Sequence, residues 1–348
     1  MNQYDRVKEE LRRSPKTWLV TGVAGFIGSH LLQELLELGQ QVVGLDNFST
    51  GYQRNIAEVQ KRHSRQPFRF VEGDIRSLAT CADVMRGVDY VLHEAADASV
   101  PRSIDNPLMA NEVNVVGTLN LLTAARDAGV RRFVFASSSA VYGDADALPL
   151  READAGSPLS PYAVSKWTDE KYAEVFSRAF GLETIGLRYF NVFGPRQDPN
   201  GSYAAVIPKW IDTMLSGSRC VVNGDGETTR DFCPVQDVVQ ANILAATAPF
   251  DRGAHRVYNV GAGRRTSLNE LHDMLAAALP RVLPSQTIQP RLHQDFRAGD
   301  VRHSQADIAG VVADLGYTPT QDLRRALEET MQWYTMQWNV NRVLARTA

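Results

Sequence analysis

Two runs decide the fold: Trp18-Leu19-Val20-Thr21-Gly22-Val23-Ala24-Gly25-Phe26-Ile27-Gly28-Ser29-His30 and, after a leucine-rich segment, Gln41-Val42-Val43-Gly44-Leu45-Asp46. An apolar strand meets three glycines at three-residue spacing. A helix carrying Leu31, Leu32, Leu35 and Leu36 follows, and a second strand ends in an acid. This is a βαβ unit with a glycine-rich first turn. Glycines are needed there because the backbone must turn sharply and come close to a pyrophosphate. The open N–H groups of the helix start supply donors and the positive end of the dipole. Phe26 and Ile27, inside that turn, join Gly22, Gly25 and Gly28 as expected cofactor contacts. Asp46 falls 18 residues after Gly28, where a carboxylate accepts from the adenosine ribose hydroxyls and repels a 2′-phosphate. The expected cofactor is therefore NAD rather than NADP.

Outward from this unit, the 348 residues suit one large α/β unit with a smaller lobe. A net charge of −3 gives no electrostatic case for nucleic acid or an anionic membrane. No apolar run approaches the roughly 20 residues of a membrane span. The charged start Met1 to Arg13 lacks the apolar segment of a signal peptide, so a cytoplasmic location is expected. Cys81, Cys220 and Cys233 form no C-x-x-C and suit a reducing compartment; the seven histidines show no ligand spacing, and no metal is expected.

Residues 3 to 13 read as a short amphipathic helix, a packing appendage. After Asp46, the polar loop Asn47, Ser49, Thr50 and Gly51 can wrap the adenosine. A third strand, 68 to 71, ends at Asp74 and Ile75, which are placed to hold an adenine; a helix N-cap is an equal claim on Asp74. A fourth strand, 90 to 93, leads into Ala95 and Ala96, small enough for backbone to approach the cofactor. An amphipathic helix over 114–128 and a fifth strand over 132–136 complete the β-α alternation. The fold class is α/β, a Rossmann-type doubly wound parallel sheet with ligands at the carboxyl ends of its strands.

Chemistry begins at the fifth strand's end, with Ser138 and Ser139 over the predicted crevice. Further on, Ser160-Pro161 opens a helix that carries Tyr162 and Lys166 one turn apart on one face. A phenol is a poor base at neutral pH, but an adjacent ammonium and a cationic nicotinamide both favour phenolate. Such a pair removes a proton from a hydroxyl while the cofactor takes hydride from the same carbon.

Gly22 to Gly28, Ser138 and Tyr162-Ala163-Val164-Ser165-Lys166 resemble the extended short-chain dehydrogenase/reductases, over nearly the whole chain from Lys16 to Tyr334. Leu45 to Gly51, Arg188-Tyr189-Phe190-Asn191-Val192-Phe193-Gly194 and Arg297-Ala298-Gly299-Asp300 are similar to nucleotide-sugar 4-epimerases. Gln197 to Gly201, Ala204 to Trp210, Asn223 to Glu227 and Asp300 to Ser304 look like the UDP-N-acetylhexosamine 4-epimerases of bacterial surface-polysaccharide pathways. The resemblance implies C4 epimerisation of UDP-GlcNAc and UDP-GalNAc through a 4-keto sugar. In it Ser138, Tyr162 and Lys166 are catalytic, and Tyr189 adds to the NAD contacts.

The implied UDP-sugar contacts continue with Ser99, Arg102, Ser139 and Asn191, and with Ala205, Val206, Lys209 and Trp210. Val221 and Asn223 lie on a strand whose inner face can take the uracil. Arg230 and Arg297 are guanidinium forks suited to a diphosphate, and Asp300 can accept from a ribose. Ser304 stands where epimerases restricted to non-acetylated sugars carry tyrosine; it either vacates room for an acetamido group or caps a helix beginning near Gln305.

An NAD-binding domain is expected over 1–190, its sheet completed by about 235–262. A discontinuous substrate lobe is expected over 191–234 and 263–348, in a homodimer. A 4,6-dehydratase would carry Asp-Glu where this chain has Ser138-Ser139. A non-catalytic NAD-binding module would not need Ser138, Tyr162 and Lys166 together. The remaining alternative is an epimerase of the corresponding uronic acid. Arg102 can receive its C6 carboxylate, Asp97 repels one, and Ala95-Ala96-Asp97-Ala98-Ser99 departs from the Ala-Ala-Leu-Gly-Ser of relatives.

Overall fold

The computed structural model describes residues 1–145, 147–200, 205–296, 301–320 and 322–347. Its centre is a seven-stranded sheet of β1 (Thr17–Thr21), β2 (Gln41–Asp46), β3 (Phe68–Glu72), β4 (Tyr90–His93), β5 (Arg132–Ser138), β6 (Glu183–Tyr189) and β7 (His255–Val260). The strand order is β7-β6-β5-β4-β1-β2-β3, and every pairing is parallel. The order reverses between β1 and β4. A crevice opens at such a switch point, outside the strands' carboxyl ends.

The helices among the described residues are α1 (Gln3–Arg13), α2 (Phe26–Glu37), α3 (Gln53–Arg62), α4 (Leu78–Val84), α5 (Val100–Asp105), α6 (Pro107–Ala110), α7 (Gly117–Ala128), α8 (Pro161–Phe180), α9 (Val206–Leu215), α10 (Val235–Thr247), α11 (Leu268–Val282), α12 (Ala309–Leu315) and α13 (Leu323–Thr347). Successive strand residues point to opposite faces, and both faces of this sheet are covered. Trp18 and Val20 join Val42, Leu92 and Val134 beneath α1, α2, α10 and α12. Leu19 joins Val43, Val91, Phe133 and Phe135 beneath α4, α7 and α8. Burial on both sides explains why β1, β2 and β5 read as continuous apolar runs rather than alternating ones. A separate apolar cluster is built by α9, α11 and α13 around Phe193, Val222 and Phe232. No described helix is long and apolar enough to cross a membrane.

Two expectations need correction. The helix expected to open at Asn114 is preceded and entered by a π-helical turn, Asn111–Val116, before α7. The wider turn delivers Asn114, fully buried, to α8, where its Nδ2 donates to Ser165 Oγ (2.9 Å). The helix expected near Gln305 begins only at Ala309. Gln305 O and Asp307 N both pair with the backbone of Leu150, at 2.8 and 2.9 Å, and Ala306 N donates to the buried Asp231 carboxylate (3.1 Å). A backbone committed to that extended pairing has no groups left for a helical turn.

Candidate active site

The glycine-rich turn is built as close approach demands. Gly22 has φ +66°, and a Cβ there would stand 2.8 Å from Ala95 N; a Cβ on Gly28 would stand 2.2 Å from Gly22 O. Gly25 precedes α2, whose first turn no side chain caps, leaving its N–H groups to an anion. Asp46 accepts Ala24 N and Phe48 N, each at 2.8 Å. Burial raises its pKa against these bonds and that of Asn47 N.

Asp74 does not cap a helix: Ser77 caps α4. It accepts instead from the Arg76 guanidinium (2.8 Å) and Asn47 Nδ2 (2.9 Å), and Arg76 chiefly holds it at about 2. One cleft is lined by Gly22, Gly25, Phe26, Ile27, Gly28, Asp46, Asn47, Ser49, Thr50, Gly51, Asp74, Ile75, Ala95 and Ala96, together with Ser99 and Arg102. The tight glycine turn, the uncapped helix start and the acid at the end of β2 fit NAD.

Tyr52, Glu94, Arg196 and Asp198 also line this cleft, unexpected from the sequence. Tyr52 donates its phenol to Asp198 (2.5 Å), and Arg196 reaches back to Ser29 O on α2 (3.1 Å). Their sequence signals were adjacency to Gly51, to Ala95 and to the Gln197-Asp198 run; the Tyr52–Asp198 contact itself spans 146 residues. Tyr189, expected at the cofactor, is buried. Its hydroxyl donates to Glu94 (2.7 Å) and accepts from Asn242 Nδ2 (2.8 Å).

Ser138 ends β5, and β5 packs against α8, which carries Tyr162 and Lys166. Ser160 caps α8 by accepting Ala163 N (3.1 Å), with Pro161 at the first position. Tyr162 N donates to the buried Ser103 Oγ (3.0 Å), and Tyr162 O accepts from Ser165 Oγ (2.7 Å). Lys166 is buried one turn on, 3.5 Å from Asp169, whose carboxyl burial pushes up to about 7 against the pull of that ammonium.

Ser138 ends β5 in register with Tyr189, and its Oγ accepts Ala140 N (3.1 Å) across Ser139. Its neighbour Ser137 faces the other way, donating to Glu170 (2.5 Å), which also holds Arg188 of β6 at 2.7 and 2.8 Å. That buried knot fixes the ends of β5 and β6 against α8. Arg102 is engaged by Asp97 at 2.8 Å, and Asp97 N is anchored on Asn114 Oδ1 (2.8 Å).

A second cavity is lined by Asn191, Ala205, Val206, Lys209, Trp210, Val221, Asn223 and Arg230, with Phe193, Thr228, Phe232 and Leu268, which the sequence did not single out. Asn191 adopts φ +32° and donates to Asp231 O (3.2 Å). The Trp210 indole N–H is spent on Val221 O (3.1 Å), so the ring contributes surface rather than a donor. Arg230 Nη1 donates to Thr229 O (2.9 Å). Ser304 is buried on the segment paired to Thr229, with its N donating to Thr229 O (3.1 Å). It caps nothing, since the residue before α12 is Ile308. Arg297 and Asp300 lie outside the described residues.

The family model described as NAD dependent epimerase/dehydratase family matches residues 18–261. A UDP-glucose 4-epimerase of Mycolicibacterium smegmatis is 37% identical over 319 residues, 91% of this chain and 97% of that protein. A UDP-N-acetylglucosamine 4-epimerase from Methanobrevibacter ruminantium M1, solved with UDP-N-acetylmuramic acid, superposes with TM-score 0.86 at 37% identity. It covers 93% of this chain and 99% of its own. MoeE5, solved with UDP-glucuronic acid and NAD, superposes with TM-score 0.79 at 33% identity over 92% of this chain and 99% of its own.

Proposed function

The chain belongs to the NAD dependent epimerase/dehydratase family, and from that premise we propose that it interconverts UDP-GlcNAc and UDP-GalNAc through a transient 4-keto sugar. It is an NAD-dependent UDP-sugar 4-epimerase, an isomerase. The observation that carries the catalytic reading is the placement of Tyr162 and buried Lys166 on α8, packed against the β5 end that bears Ser138. The acetylated sugar is supported by the archaeal UDP-N-acetylglucosamine epimerase and by the small Ser304 beside Thr229.

Bound NAD supplies a reversible hydride acceptor for C4. The turn Gly22 to Gly28 and the open start of α2 hold its pyrophosphate, and Asp46 its adenosine ribose. Tyr162, as phenolate, takes the O4 proton directly or through Ser138. Lys166 holds the nicotinamide ribose and places positive charge beside the phenol. Asn191, Lys209 and Arg230 hold the diphosphate while the sugar swings to present its other face; Val221 and Asn223 border the uracil. Tyr162 then returns the proton to O4 of the inverted alcohol. No net redox change occurs, so nothing is gained by releasing the cofactor.

Against the uronate reading, the Asp97 carboxylate 2.8 Å from Arg102 Nη2 repels a C6 carboxylate at that guanidinium. We place the substrate lobe over 191–234 and 263–348, and a second copy of the chain against the exposed Leu108, Val116, Val164 and Val175; sedimentation measures the latter. The deciding experiment offers UDP-glucose, UDP-GlcNAc and their C6 acids to the purified protein and follows products by NMR. UDP-GlcNAc turns over fastest if the proposal holds. Faster turnover of either acid or of UDP-glucose overturns the substrate assignment.

A further inference from the structure

We infer that Glu94 sets the redox poise of the site: its carboxylate, fixed beside the nicotinamide half of the cleft, favours the oxidised, cationic cofactor over the reduced, neutral one. The inference rests on the dinucleotide reading of the cleft and not on which sugar is turned over. Asp46 at the end of β2 marks the adenosine side of the crevice. The nicotinamide half therefore lies across β1, toward β4, β5 and β6. Glu94 is the first residue beyond β4 and lines that cleft.

The carboxylate cannot swing away. Its backbone N donates to Thr21 O of β1 (3.3 Å), and its Oε1 accepts the Tyr189 hydroxyl (2.7 Å), itself held by buried Asn242 (2.8 Å). Glutamine would satisfy the same hydrogen bond without a charge, so anchoring Tyr189 does not by itself call for an acid. Burial pushes the carboxyl up to about 7, opposed by the Tyr189 bond and by Lys166. Lys166 itself pairs with Asp169 at 3.5 Å, and the neutral His93 that precedes Glu94 is turned to Thr21 and Thr118. Glu94 is the carboxyl group beyond β4 that lines the cleft, and its ionised form puts a negative field there. A pyridinium in that field and an ionised Glu94 stabilise each other.

The chemical consequence concerns hydride return. The alcohol carbon loses hydride to the nicotinamide and its oxygen loses a proton to Tyr162; return reverses both transfers, and Glu94 takes neither particle. By destabilising the reduced cofactor, it makes that cofactor a stronger donor. Keto sugar is then reduced before it can escape and strand the enzyme in the reduced form.

The test titrates NAD-depleted protein with NAD⁺ and with NADH, without sugar. Glu94→Gln keeps the acceptor for Tyr189 and removes the charge. The ratio of the two Kd values should move about tenfold or more toward NADH, the size expected for one charge at contact range in a partly buried site. A ratio within twofold of the parent overturns the proposal. Tyr189→Phe, which removes a bond favouring the ionised carboxyl, should shift the ratio in the same direction by less. Should Glu94→Gln fail to fold, an unchanged ratio in Tyr189→Phe overturns it instead. Failure of the parent protein to bind either dinucleotide overturns the cleft reading and this proposal together.

Discussion

At the scale of single residues, the proposal stands on Tyr162, whose backbone is held from both sides by Ser103 and Ser165. Because those bonds use its N and O and not its ring, Tyr162→Phe should leave the fold and bound NAD intact. It should lower kcat by about 10²-fold or more, the loss expected when a general base is removed. Near-normal turnover would place the base elsewhere. Ser138→Ala should cost less, since water can replace a shuttle. Ser304 carries the second prediction at this scale. Helix capping is removed as an explanation, and Ser304 is a buried residue in extended chain bonded to Thr229, next to Arg230, where the larger Tyr would crowd a bound acetamido group. Ser304→Tyr should abolish turnover of UDP-GlcNAc and spare or raise that of UDP-glucose. Equal loss of both, with a lowered Tm, would make it a packing residue.

At the scale of elements, the crevice is closed by segments remote in sequence. The polar loop after β2 ends in Tyr52, and the segment after β6 brings Asp198 to it; Tyr334 of α13 holds that segment from behind by donating to Gln197 O. A hydrogen bond to a charged acceptor contributes about 1.5–3 kcal/mol. Tyr52→Phe should therefore speed NAD dissociation about tenfold or more and lower the NAD retained per chain after gel filtration. Unchanged retention would mean that this link does not bear on closure. The elements themselves were largely readable, because β1, α2 and β2 carry their own punctuation: apolar runs, glycines and a terminal acid. The π turn at Asn111–Val116 was not readable, because the bonds that go with it, from Asn114 to Asp97 and Ser165, join residues 17 and 51 positions apart.

At the scale of the whole molecule, two sets of buried and half-buried titratable groups oppose each other in pH. Burial raises Glu94 and Asp169 to about 7 and Asp231 to about 6. The folded state binds their protons first, so stability from this set grows as pH falls from about 7 to 4. Burial lowers His30 and His93 to about 3 and His255 to about 4. The unfolded chain binds those protons first, so stability from this set is lost as pH falls below about 6.5. The Tm of NAD-free protein should thus be nearly level from pH 7 to 5. It should fall below pH 4, where Asp74 and Asp225, held at about 2 by Arg76 and Arg302, begin to lose their pairs. A steady loss of more than about 10 °C between pH 7 and 5 would overturn the balance.

The sequence by itself determined the parallel sheet, the NAD turn and the Tyr162–Lys166 helix face, because each is encoded by residues within a turn or two of one another. Tertiary structure alone decided that Asp97 pairs with Arg102, that Tyr189 supports Glu94, and that Ser304 lies in extended chain rather than at a helix cap. Those outcomes depend on which distant backbone groups and charges compete for the same partners, and that competition exists only once the chain has folded.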